Sequence, residues 1–182
     1  MKLLTAVAAE DWCRKQGCFV GGDLVSKSVT LPPSGSPDCR VTVPTEATEA
    51  AALAYVIAMT AVPDFLEGRF EGAMLWMRRW EIWSESIDRV GLLLLNGVRA
   101  SSGQGPALEV APAHLFLPTE FDAAHACLTL PLIFQWDAHF VPERGAFVAF
   151  VSHEGHVDLW AANKEMRGSL LGRLERWLAP VR

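Results

Sequence analysis

The sequence predicts an α+β fold, mainly antiparallel sheet with a C-terminal three-stranded meander, packed by several helices including an amphipathic C-terminal helix. Three observations predict it. The last third reads as three alternating segments separated by tight turns, an apolar stripe at helical spacing follows them, and helical and alternating stretches are interleaved upstream. With 182 residues, 51% of them apolar and 20% charged, the chain belongs to the globular rather than the disordered class and fits one domain over 1–182.

Composition also bounds the function. A net charge of −5, without long runs of either sign, argues against nucleic acid or an anionic membrane surface as a partner. The longest uncharged stretches, 50–63 and 123–136, are about 14 residues each, below the roughly 20 that span a bilayer, so both read as buried core. The apolar run after Lys2 is ended by Glu10 and Asp11, too early for a secretory signal, and reads instead as the start of a helix. Four cysteines, Cys13, Cys18, Cys39 and Cys127, lack metal or disulfide spacing, which makes a reducing cytoplasm the expected location. Arg outnumbers Lys about three to one among abundant Ala, Gly and Pro, as a GC-rich bacterial genome would encode.

Residues 5–16 are expected to be helical and closed by Gly17. Two short strands, 24–31 and 40–43, are expected to form a hairpin through the Ser-Gly-Ser-Pro turn at 34–37. Thr45 then caps a helix that carries Glu46 and Glu49 in its first turn and runs to about Thr60, since Pro63 prevents continuation. Residues 73–83 fit either period, and their aromatic content favours a strand. A helix from Ser84 or Ser86 places Ile87, Val90, Gly91, Leu94, Leu95 and Val98 on one stripe, with a stop offered by Asn96-Gly97. Residues 101–106 make a loop, 115–117 a short strand and 122–128 a short helix.

The meander is expected to comprise 132–141, 146–153 and 156–162. Reading Glu154-Gly155 as a two-residue turn pairs His153 with His156 and Phe150 with Leu159; reading Glu143-Arg144-Gly145 as a three-residue loop pairs Phe140 with Val148. Trp136, Ala138, Phe140, Val148, Phe150, Val157, Leu159 and Ala161 then share the core face. Asn163 caps the final helix, whose stripe is Leu170, Leu171, Leu174, Trp177 and Leu178.

That register assigns Gln135, Asp137, His139, Phe147, Val151, His153, His156, Asp158 and Trp160 to the opposite, mixed face. Paired His153 and His156 would have Cβ atoms about 5 Å apart, with Asp158 one step away, a set able to hold a divalent metal with positions open for water. The plainer reading of these side chains is a solvated hairpin end. Phe147 and Trp160 on the same face imply that part of it is covered, and Trp83 joins them as an exception among seven tryptophans otherwise read as core. Gly103-Gln104-Gly105 lacks a following Lys-Ser/Thr, so it reads as a loop rather than a phosphate cradle. There is no nucleophile elbow, and neither Ser152-His153 nor His125 with Cys127 places a base on a nucleophile.

The expectation is a non-enzymatic module that binds another protein or self-associates, with Phe147, Trp160 and Trp83 as binding residues. The alternative is a metal-binding protein or metal-assisted hydrolase using His153, His156 and Asp158, with Asp137 or His139 at the edge and a divalent metal as cofactor. A third is a small-ligand pocket between sheet and helices, for which the residues supply no chemical identity.

Overall fold

A computed structural model describes residues 1–21, 28–30, 39–61, 70–103, 105–144 and 147–178. Its elements in chain order are β1 (Lys2–Leu4), α1 (Ala6–Lys15), β2 (Phe19–Gly21), β3 (Ser28–Thr30), β4 (Arg40–Pro44), α2 (Ala50–Thr60), β5 (Ala73–Arg79), α3 (Glu85–Ser101), β6 (Ala113–Phe116), α4 (Phe121–Phe134), β7 (Asp137–Pro142), β8 (Phe147–Ser152), β9 (His156–Ala161) and α5 (Lys164–Leu178). Seven strands form one antiparallel sheet in the order β1-β6-β5-β7-β8-β9-β4, and β2 pairs with β3 in a separate hairpin. The α+β class, the meander and its following helix are therefore present as the sequence predicts.

The sheet is covered on both faces. On one, Leu75, Met77, Ala138, Phe140, Phe147, Ala149, Val151, Val157, Leu159 and Ala161 pack with α2, α4 and α5. On the other, Met74, Trp76, Val141 and Val148 pack with Ala9 and Cys13 of α1 and Val29 of β3. Helix α2 buries Leu53, Ala54, Val56, Ile57 and Ala58, nearly its whole circumference, as a helix enclosed by α4, α5 and the sheet must. Two covered faces leave the apolar alternation of a central strand with no preferred side.

The register of β8 shows that consequence. Ser152 pairs with His156 across a three-residue loop in which Gly155 takes the left-handed conformation at φ 79, in place of the expected two-residue turn. On the other edge, Phe140 pairs with Ala149 rather than Val148. Strand β8 thus slides by one residue against both neighbours, turning Phe147, Ala149 and Val151 toward the helices and Val148 and Phe150 away. Gly145, which closes the expected Glu143–Gly145 loop, and Ala146, which opens the expected strand, lie outside the described residues.

Several boundaries differ for local reasons. Residues 2–4 form a strand before α1, with Thr5 as its N-cap accepting from Ala8, and Gly17 at φ 79 ends the helix as expected. Residues 28–30 pair with β2, not with β4, which lies on β9; the rest of 24–31 and the turn at 34–37 lie outside the described residues. The Thr45 N–H donates to the Gly155 carbonyl at 2.9 Å, and a 3-10 turn over Ala47–Glu49 opens α2 instead of a Thr45 cap. Helix α4 continues through Pro131 to Phe134, taking residues 132–134 from the expected strand, and closes where the Trp136 N–H returns to the Pro131 carbonyl at 2.9 Å. Asn163 does cap the last helix, accepting from the Met166 N–H at 2.8 Å, and Leu170 and Leu174 are buried; the side chains of Trp177 and Leu178 lie outside the described residues.

Helix α3 is turned from its expected orientation. Its buried positions are Asp88, Gly91, Leu95 and Arg99, whereas Ile87, Val90 and Leu94 are about half exposed, and the helix passes through Asn96-Gly97 to Ser101. Polar anchors set this rotation. Asp88 accepts from the Trp136 indole at 2.7 Å and the Trp83 N–H at 2.8 Å, while buried Arg99 donates to the Ala111 and Pro106 carbonyls at 3.1 and 2.6 Å.

Candidate functional site

The sheet face away from α2, α4 and α5 carries a cross-strand row built by successive pairings: Trp76 with His139, His139 with Phe150, Phe150 with Asp158, and Asp158 with Thr42. Above this row lies a cavity of about 430 Å³, within the ~300–1,000 Å³ usual for small-ligand sites. Ser28, Val29 and Thr30 of the β2–β3 hairpin form one wall, Phe150 and Trp160 supply aromatic surface, and Arg78, Arg79, Asp137 and Asp158 supply charge.

Strand β5 sends two arginines here because its pairing with β7 is irregular. Met77 pairs with Ala138 and Arg79 with Asp137, leaving Arg78 as an inserted residue. A bulge of this kind breaks the strict alternation of side chains, and both Arg78 and Arg79 line the cavity. Arg78 stacks its guanidinium 4.7 Å from the centre of the Trp76 ring, and among the described residues it has no carboxylate within ion-pair distance. Burial draws its pKa below the ordinary arginine value, with Asp137 opposing that effect.

His139 lies in the sheet floor, 4% exposed, its ring 4.9 Å from that of Phe150. The Val29 N–H donates to its Nε2 at 3.3 Å, so the neutral ring carries its proton on Nδ1. Burial, and then the neighbouring Arg78 charge, push its pKa down to about 3. The Nδ1 atom is buried and has no hydrogen-bond partner among the described residues.

The residues expected to bind metal do not converge. Ser152, not His153, stands opposite His156. His153 gives its backbone N–H and Nδ1 to Asp137 Oδ1 at 2.9 and 2.8 Å, whereas Asp158 accepts from Arg40 Nε at 2.9 Å, Arg40 Nη2 at 2.5 Å and Thr42 Oγ1 at 2.7 Å. His156 Nε2 lies 3.7 Å from Asp158. The slipped register separates the imidazoles, and Arg40, absent from the expected set, occupies the carboxylate. Among the described residues no three His, Cys, Asp or Glu side chains are grouped to hold a metal ion.

The expected aromatic binding residues also separate. Phe147 is fully buried against the helices, because β8 is inverted, and is not on the mixed face. Trp160 is half-buried at the cavity, with Arg40 5.2 Å from its ring centre. Trp83 is 40% exposed elsewhere, its indole donating to the Phe134 carbonyl at 2.8 Å, beside a second cavity lined by Arg89, Leu92 and Leu93. Of the cavity's charged groups, sequence reasoning missed Arg78 and Arg79; two adjacent cations inside an otherwise apolar, aromatic strand were the available signal.

Nucleophilic chemistry finds no activated group among the described cysteines whose pKa is displaced. Burial pushes the Cys13 and Cys127 thiols up to about 12 and Cys18 to about 11, so they stay protonated at neutral pH. Gln104 of the Gly103-Gln104-Gly105 turn lies outside the described residues, and no described helix is long and apolar enough to cross a membrane. No family model, curated protein or solved structure matches the chain.

Proposed function

We propose that the chain is a non-enzymatic binding domain whose cavity over the His139–Phe150–Asp158 row takes a small ligand. The observation that carries this reading is the combination, in one concave site, of aromatic walls with buried His139, whose Nδ1–H meets no acceptor among the described residues. Leaving a buried donor unmade costs about 1–3 kcal/mol, and such groups concentrate where structure serves something other than stability. Acidic residues already paired with Arg40 and Arg79 suit holding a molecule. The test is a screen of aromatic fragments of differing charge by NMR, reading the Trp160 indole resonance. Saturable shifts there, lost in Trp160→Ala, are expected; a screen in which no fragment moves that resonance removes the reading.

Self-association is a second reading, favoured by a different surface. Ile87, Val90, Leu93 and Leu94 on α3 are 50–64% exposed and form a strip continued by the exposed, uncharged Ser86, Gly97, Ala100 and Ser101, with exposed Arg89 at its edge beside Leu93. An uncharged strip is matched by another uncharged strip, and a second copy of α3 supplies one with no ion to desolvate. It replaces the expected self-association through Phe147 and Trp160. Sedimentation equilibrium is expected to give a dimer that Leu94→Glu converts to a folded monomer. A wild-type chain that remains monomeric throughout the concentration range would refute it.

A further inference from the structure

We infer that the ligand of the cavity is a small organic carboxylate bearing a flat apolar ring, with its carboxylate held by Arg78; this rests on the ligand-binding reading above.

Charge decides the sign of the ligand. Four described charged side chains line the cavity, but Asp158 is neutralised from outside it by Arg40, and Arg79 lies 4.0 Å from Asp137. Arg78 is left as the cation whose charge no described carboxylate answers at contact distance. Its contact with Trp76 is through the ring and consumes no carboxylate-type acceptor, so the planar fork of N–H donors remains for one. A neutral or cationic guest would leave that guanidinium partly desolvated and unpaired.

The same walls limit how much negative charge is welcome. Asp137 and Asp158 flank the floor, both under 10% exposed, and hold the other described cations, so each further negative group of a polyanion would lie near these carboxylates without a cation left for it, whereas a single carboxylate is answered by Arg78. Beside Ser28, Thr30 and His139, the remaining described surface is Val29, Phe150 and Trp160, which offers a flat ring stacking and apolar contact. A monoanion joined to an aromatic ring satisfies both halves of the cavity.

The experiment compares benzoate and 1-naphthoate with their neutral amides and their aminomethyl counterparts on the full chain, by NMR at Trp160 and by calorimetry. The carboxylates are expected to bind about ten-fold or more tightly than the amides, with the ammonium compounds weakest. Arg78→Gln is expected to bring carboxylate affinity down to the amide level while leaving the amides unchanged, and Arg78→Lys to fall between. Amides or ammonium compounds that bind as well as the carboxylates would overturn the carboxylate assignment and leave the cavity a ligand site. Silence at Trp160 from every probe would overturn both. Carboxylate binding untouched by a folded Arg78→Gln would overturn the role of Arg78. If that variant does not fold, Arg78→Lys and the carboxylate-to-amide ratio on the native chain still decide.

Discussion

At the residue scale, the firmest constraint is on Gly91. A Cβ there would lie 2.5 Å from Trp136 Cη2, 2.6 Å from Cζ2 and 2.9 Å from Phe134 Cδ2. The Trp136 ring is fully buried and tied to Asp88 by its indole N–H, so it cannot withdraw without losing that hydrogen bond. Gly91→Ala is therefore expected to destabilise the chain by about 1–3 kcal/mol through overpacking, although alanine favours a helix by about 1 kcal/mol. Urea titration followed by circular dichroism checks it, and an unchanged midpoint would mean that the ring gives way. Gly91 was legible as part of an apolar stripe, but its neighbours Asp88 and Arg99 were not. Amphipathic patterning sends charge outward, and only partners far along the chain, such as Trp136 and the Ala111 carbonyl, make an inward aspartate or arginine affordable.

At the element scale, what was legible and what was not depended on how many faces of an element are buried. The meander, its order and the helix after it could be read because turns and alternation punctuate them. The side on which β8 faces could not: Phe147-Val148-Ala149-Phe150-Val151 is apolar at every position, and with both sheet faces covered either register buries hydrophobic side chains. The metal expectation failed to assemble for the same reason, since it depended on His153 standing opposite His156. The observed register makes its own demand. Phe147, fully buried among the helix-facing residues, is expected to cost about 3–5 kcal/mol on truncation to Ala, whereas half-buried Phe150→Ala should cost less and act on cavity binding. Equal losses of stability from the two, measured by denaturant midpoint, would contradict the orientation of β8. The bulge in β5 was illegible for a related reason: the adjacent cations Arg78-Arg79 could flag the strand, but the insertion that brings both to one cavity is defined only by pairing with β7.

At the scale of the whole molecule, two histidines enclosed by the sheet make stability depend on pH. His114 is fully buried with Arg99 Nη1 2.9 Å from its Nε2, and burial, followed by that guanidinium, pushes its pKa down to about 3; burial and Arg78 do the same to His139. Both imidazoles are neutral in the folded chain, while in the unfolded chain they titrate near the ordinary value of about 6.5. Between those values the unfolded state binds more protons, so acid favours unfolding. Their contribution is fully present above about pH 6.5, declines as the pH falls toward about 3, and changes no further below that. Each can add a slope approaching ~1.4 kcal/mol per pH unit well inside that window. Denaturant midpoints measured from pH 7 to pH 4 are expected to fall steeply, and His114→Gln or His139→Gln, whatever its stability at pH 7, should flatten the slope by one proton's worth. A slope unchanged in both variants would place the acid sensitivity in other groups. Burial holds His139 neutral and the Arg78 charge adds to it, so a carboxylate seated on Arg78 opposes that second effect and is expected to shift the residue's titration upward, measurable by NMR on the bound and free chain.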